Sequence, residues 1–304
     1  MFGFSNKPGR GISKEEAAKR NYFDIFGRHF GHIMGANFWY VLTNIVFFTA
    51  AVILFNAHFS GDNLVHVVSY IMTGKMFIIP FVPFIPFLFI GPFTAGYTYV
   101  IRNYAKQEPT FLTSEFFYNS RKNFKQSIIT SAISTVMTYV LLQAFVFYNN
   151  FFTAHGLPLG VFYVLSFLVL VLFTSFIFYV YPIMVTFKMN LKSIYKNAFI
   201  FAISKLPQNF IIFVLLAGIN IAVLYLICFV AYLPTVVYLL VLGFFMTGFT
   251  SFTANYYIWH VMDKYIVQLV TTSKKSQAIF DDNEYPDLGD DYNEEVIPED
   301  EYLL

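Results

Sequence analysis

Cysteine is almost missing from this sequence. Cys228 is the only one in 304 residues, which excludes an intramolecular disulfide and a zinc site built on cysteines. It lies in an apolar run and reads as a packing thiol. Charge is scarce as well: 12% of residues are Asp, Glu, Lys or Arg, against about 25% in soluble domains. That excludes an ordinary soluble protein at a length that would otherwise suit one or two domains. The six histidines do not converge. His29 and His32 are three apart, while His58, His66, His155 and His260 are scattered, so no metal site of several ligands is expected. No Gly-Lys-Ser/Thr loop occurs, which removes a Walker-type ATP site. No nucleophile stands at a useful spacing from a histidine. No cleavable signal peptide is expected either, because the first apolar run starts near Ile33 behind a polar leader. A non-enzymatic chain follows, with no cofactor and no nucleic acid among its partners.

What the sequence has in abundance is apolar length. Hydrophobic residues make up 57% and aromatic residues 21%, a composition suited to lipid-facing helices and interfacial belts. Six runs lack Asp, Glu, Lys and Arg altogether, at 33–56, 76–101, 127–148, 159–187, 210–231 and 235–258. Each is near or above the roughly 20 residues that cross a hydrocarbon core. The last two are almost continuous, and Pro234 between them marks a tight hairpin.

Charge placement orients these runs. Eighteen of the 19 Lys and Arg fall before the first run, between the second and third, between the fourth and fifth, or after the sixth. Only Lys75 falls on the other side, a bias that places both termini in the cytoplasm of a cell-membrane protein. The organisation expected is a cytoplasmic leader at 1–32, a six-span membrane domain at 33–262 and a cytoplasmic tail at 263–304. Ser13-x-x-Glu16 reads as a capping box that starts the leader helix. The tail carries eleven acidic residues between Asp281 and Glu301, too polar to fold alone, so a disordered segment is expected. Pairing with basic cytoplasmic segments is its alternative role.

An internal repeat runs through the spans. Asn37-Phe38, Asn123-Phe124 and Asn209-Phe210 recur at intervals of 86 residues, each after a basic segment of helical amphipathic pattern. In the first of these, Phe23, Phe26, Phe30 and Ile33 share one face. Gly91-x-Phe93-x-x-Gly96-x-Thr98-x4-Asn103-Tyr104 reappears as Gly243-x-Phe245-x-x-Gly248-x-Thr250-x4-Asn255-Tyr256. The fold expected is therefore all-α and integral to the membrane: six transmembrane helices as three repeated hairpins, each preceded by a cytoplasmic interfacial amphipathic helix. Gly91, Gly96, Asn103, Gly243, Gly248 and Asn255 are candidates for a ligand pathway or for close helix packing. Small residues at helix interfaces favour packing.

Lys7-Pro8-Gly9-Arg10-Gly11-Ile12 resembles the opening of the YesL-like membrane protein family. The stretch from Gly91 through Pro92, Phe93, Thr94, Ala95, Gly96, Tyr97 and Thr98 to Tyr99, with Arg102-Asn103, is similar to that family's second-span signature. Tyr195-Lys196-Asn197-Ala198 and Lys205-Leu206-Pro207-Gln208-Asn209 resemble its third-repeat opening. The likeness runs from Met1 to Lys264; the acidic tail and the outer loop at 57–75 depart from it. The resemblance implies a Gram-positive bacterial protein that accompanies carbohydrate uptake. It supplies no catalytic or binding residue.

Pro80, Pro83, Pro86 and Pro92 interrupt the second span. A broken helix at a substrate path is one reading; a kinked, well-packed helix is the other. The intramembrane amides Asn44, Gln143 and Asn220 read as interhelical hydrogen-bonding groups. No ionisable carboxylate or amine falls inside a run, which tells against a proton-driven pump. Segment 191–209 faintly resembles the coupling loop of importer-type ABC permeases, without its Glu-Ala-Ala core, so Lys196, Lys205, Leu206 and Pro207 are candidates for docking an ABC permease or ATPase. An interfacial helix against the lipid bilayer is the plainer reading. The function expected is an accessory or regulatory partner of a carbohydrate uptake (ABC) system; the alternative is an autonomous transporter or channel with its path at the proline-broken span.

Overall fold

The computed structural model describes residues 21–59, 79–154, 160–225 and 245–267. All regular structure among them is helical. The helices are α1 (Tyr22–Phe59), α2 (Gly91–Lys106), α3 (Leu112–Lys122), α4 (Phe124–Ala154), α5 (Val161–Thr186), α6 (Leu191–Ser204), α7 (Leu206–Tyr225) and α8 (Thr247–Met262). A 3-10 segment, Ile79–Phe89, precedes α2, and a π turn, Asp263–Val267, follows α8.

Four of these helices contain stretches long and apolar enough to cross a membrane: Tyr22–Leu54, Phe124–Tyr148, Val161–Thr186 and Leu206–Val223. A fifth crossing is possible if the 3-10 segment and α2, bent by 57°, are taken as one span. The sequence run at 235–258 is described only over α8. Cys228, Pro234, Gly243, the outer loop at 57–75 beyond Phe59, the acidic tail and the capping box lie outside the described residues.

The surface is that of a membrane protein. Val46, Ile53, Val164, Leu168, Ile211 and Val214 are all at least half exposed, on α1, α5 and α7. Polar residues face inward instead: Asn37, Asn44, Thr130, Ser131, Gln143, Ser175 and Asn209 are buried. In lipid the exposed apolar face costs nothing, and association is driven by small residues and hydrogen bonds between helices.

At the centre α2, α5 and α8 pack on one another. Each also reaches a helix that leads into the next odd-numbered run. α2 lies on α3 and the start of α4, α5 lies on α6 and the start of α7, and α8 lies on the first half of α1. Aromatic rings fill the last contact, with Tyr22 5.7 Å from Phe252 and 5.3 Å from Tyr256 between centroids. The Tyr22 and Thr253 hydroxyls are hydrogen-bonded at 2.6 Å.

Three expectations shift. The leader and the first run are not separate: α1 is unbroken across residue 32 for 38 residues. At about 57 Å it is nearly twice the hydrocarbon thickness. Its buried face is set by Ile25, Ile33 and Ala36, while Phe23 is 77% exposed. The Asn-Phe pairs are not equivalent either. The break between α3 and α4 falls at Asn123, and that between α6 and α7 falls at Lys205. Ser127 N–H then donates to Asn123 O and Asn209 N–H to Lys205 O, so Ser127 is the structural counterpart of Asn209.

Candidate functional site

Prolines with a three-residue period build the 3-10 segment. Proline fixes φ near −65°, inside the 3-10 range, and three residues per turn stack every third side chain on one face. Pro80, Pro83 and Pro86 fall on that period, and Pro83 and Pro86 are buried where the segment packs between α1 and α4. Ser131 Oγ donates to Leu88 O at 2.5 Å, satisfying a carbonyl near the bend. Pro92 is buried in the first turn of α2, where a missing N–H carries no cost.

The small residues of α2 are contact points. A Cβ on Gly91 would overlap the Ser127 carbonyl, and one on Gly96 would overlap the Phe116 carbonyl and Ser120 Oγ. On α8, a Cβ on Gly248 would fall 2.5 Å from Asn37 Nδ2 and 2.7 Å from Met34 Cε. These glycines therefore meet their neighbours rather than a shared cavity. Asn103 and Asn255 differ: Asn103 Oδ1 accepts from Arg102, whereas buried Asn255 Oδ1 has no partner among the described residues.

Arg102 belongs to α2 and is 5% exposed, where the sequence pattern had placed it in a loop. Its Nη1 donates to Val185 O at 2.9 Å and Thr186 Oγ1 at 2.7 Å, and its Nε and Nη2 donate to Asn103 Oδ1 at 3.1 and 2.7 Å. The guanidinium also lies over the Tyr99 ring, 4.7 Å from its centroid. A cation at the carbonyl end of α5 meets the negative end of that helix's dipole. Arg102 thus clamps α2 to α5. Its basic neighbour Lys106 pairs with Glu108 at 2.5 Å and lies over Trp259.

Asn209 is a second crosslink. Its Oδ1 accepts from the Tyr179 hydroxyl at 2.8 Å and the Tyr257 hydroxyl at 2.9 Å, and its Nδ2 donates to Ala202 O at 3.2 Å. One amide therefore ties α5, α6, α7 and α8. Asn37 Oδ1 similarly accepts from the Tyr97 hydroxyl of α2.

No family model, curated protein or solved structure matches the chain.

Among the described residues no three His, Cys, Asp or Glu side chains converge at metal-binding distance. Two adjoining cavities among the described residues open at the basic end. The first, about 630 Å³, has Arg121, Lys122, Asn123, Phe124, Lys125 and Gln126 along one wall and the segment from Met184 to Met189, with Lys188, along the other. Gln126 Nε2 donates across it to Met189 O at 3.0 Å. Arg121, Lys122, Lys125 and Lys188 are exposed, and no acidic residue lines it. The second, about 520 Å³, is a crevice walled by Phe47, Phe89, Phe93, Phe117 and Phe124 at the bend before α2.

The docking candidates sit elsewhere. Lys196 is exposed on α6, whose buried face is Ile194, Ala198, Phe201 and Ala202. Lys205, Leu206 and Pro207 form the α6–α7 corner. Lys205 Nζ donates to the Tyr265 hydroxyl at 2.5 Å, and this bond holds that phenol below its ordinary pKa.

Proposed function

We propose that the chain is a six-span membrane protein of three repeated hairpins, with its basic end and both termini in the cytoplasm. It acts as a non-enzymatic accessory subunit of a carbohydrate uptake (ABC) system. The ring of contacts supports the repeat: α2 onto α3 and α4, α5 onto α6 and α7, α8 back onto α1. The eighteen-to-one distribution of Lys and Arg supports the orientation. The link to carbohydrate uptake rests on the family resemblance of the leader, second span and third-repeat opening.

The packed centre favours an accessory role over a transport path. A path along the second span would need its broken backbone to line a wet cavity. Pro83 and Pro86 are instead enclosed by α1 and α4, Gly91 and Gly96 touch neighbouring backbone, and the crevice at the bend is walled by phenylalanine. The exposed face of α6, where Lys192 and Lys196 neighbour Phe199, Ile200 and Ile203, offers a partner both charge and apolar area.

Deleting the gene should lower sugar uptake by the cognate ABC system, and the purified chain in liposomes should move no sugar. The Pro83→Ala/Pro86→Ala variant should restore uptake in the deletion strain while unfolding at lower temperature. Sugar flux through the purified chain that this variant abolishes overturns the accessory reading in favour of a transporter.

Topology has its own check. In a Cys228→Ser background, a cysteine at Ala154 should react with an impermeant reagent added outside intact cells, and one at Ser193 should not. The reverse pattern sinks the orientation.

A further inference from the structure

We propose that the two adjoining cavities form one binding site for an anionic glycerophospholipid, with the phosphate headgroup in the basic cleft and an acyl chain in the phenylalanine crevice. Arg121 and Phe124 line both cavities, so polar and apolar volumes meet at a shared wall. Each volume is in the range of small-molecule sites, about 300–1,000 Å³.

The chemistry of the two halves is complementary to one amphiphile. On the basic side, Arg121 and Lys122 end α3, Lys125 lies in the first turn of α4, and Lys188 follows α5 on the opposite wall. Arginine at the seam presents a planar fork suited to phosphate oxygens, and the lysines add point charge. The start of α4 contributes the positive end of a helix dipole. On the apolar side five phenylalanines with Pro92 and Ile128 make most of the wall, Ser120 and Arg121 being its polar members. A soluble phosphorylated metabolite would leave that wall unused. A lipid fills both, and the bilayer supplies it at high local concentration. Bound there, it would join the bend before α2 to the α3–α4 corner and to the end of α5, whose Val185 and Thr186 also accept from Arg102.

Trp39 provides the probe, because its ring lies 5.3 Å from Phe117 of the crevice wall. In a Trp259→Phe background of the full chain in neutral detergent, phosphatidylglycerol with brominated acyl chains should quench Trp39 saturably. Brominated phosphatidylcholine should need a much higher concentration. Arg121→Gln/Lys125→Gln should weaken phosphatidylglycerol quenching about thirtyfold, at roughly a fivefold loss per charge. Lys192→Gln/Lys196→Gln, an equal loss of charge outside the cleft, should change it less than twofold. Should the first double variant fail to fold, Lys188→Gln on the facing wall should give about a fivefold loss. Soluble glycerol phosphate should not reverse the quenching. The proposal is overturned if both lipids quench alike, if the α6 control loses as much as the cleft variant, or if glycerol phosphate displaces the lipid.

Discussion

Gly96→Ala is expected to destabilise the bundle by about 2 kcal/mol, and Gly91→Ala by a similar amount. Two opposing effects set that figure. Alanine is intrinsically better than glycine in a helix by about 1 kcal/mol. Against this, the added methyl overlaps carbonyl oxygens of Phe116 or Ser127, which belong to the backbone of α3 and α4 and cannot step aside. Forcing an extra carbon into such a contact costs about 3 kcal/mol, the upper part of the usual range for overpacking. Gly248 is an intermediate case. The atoms its methyl would meet belong to the side chains of Asn37, Met34 and Ile33. The Met34 end can swing away, whereas Asn37 is held by the Tyr97 hydroxyl and Ile33 is buried. An overlap cost of about 2 kcal/mol less the helix gain leaves Gly248→Ala destabilising by about 1 kcal/mol. Gly31 isolates the helix term, because nothing lies within 4 Å of its missing Cβ; Gly31→Ala should stabilise by about 1 kcal/mol. Denaturant unfolding in detergent micelles reads all four. Equal effects at Gly31 and Gly96 would remove the close-packing role assigned to α2.

Much of this arrangement is written locally. The proline period needs only the φ restriction of each ring to give a 3-10 segment, and the segment lies where Pro80, Pro83 and Pro86 occur. Gly91 and Gly96 are legible as packing positions because small residues have few other uses on a membrane helix. The basic end is legible from charge placement alone, though its two cavities are not: they need α3 and α4 to turn at Asn123 beside the end of α5. Arg102 was unreadable for the same reason. Its acceptor Val185 O is 83 residues away, and nothing near Arg102 marks it as buried. The recurring Asn-Phe pairs show the limit of pattern in another way. Identical Asn-Phe pairs recur with equal spacing, yet the helix breaks recur in a different register, so one asparagine ends a helix while another enters a buried network. Register is fixed by which side chains can face α5 and α8, and that is a tertiary choice.

The asparagines turn that difference into a measurement. Asn209→Leu should cost about 2–3 kcal/mol, whereas Asn123→Ala should cost less than 1 kcal/mol. Asn209 is 5% exposed, and its loss strands two tyrosine hydroxyls and the Ala202 carbonyl at once. In water-soluble cores each such orphan would cost about 1–3 kcal/mol. Within a membrane the unfolded reference also finds partners, and interhelical hydrogen bonds average nearer 0.6 kcal/mol with a ceiling of about 1.7. Three bonds at roughly 0.6–1 kcal/mol each give the smaller figure, so the membrane value decides. Among the described residues the Asn123 side chain hydrogen-bonds locally, its Nδ2 donating to Asn119 O at 3.1 Å, which explains the small cost. A double-mutant cycle of Asn209→Leu with Tyr179→Phe should give a coupling of about 0.5–1 kcal/mol, and the same cycle between Asn123→Ala and Tyr179→Phe should give none. If Asn123 and Asn209 substitutions cost the same, the sequence register at Asn-Phe governs the structure and the register set by the helix breaks is wrong.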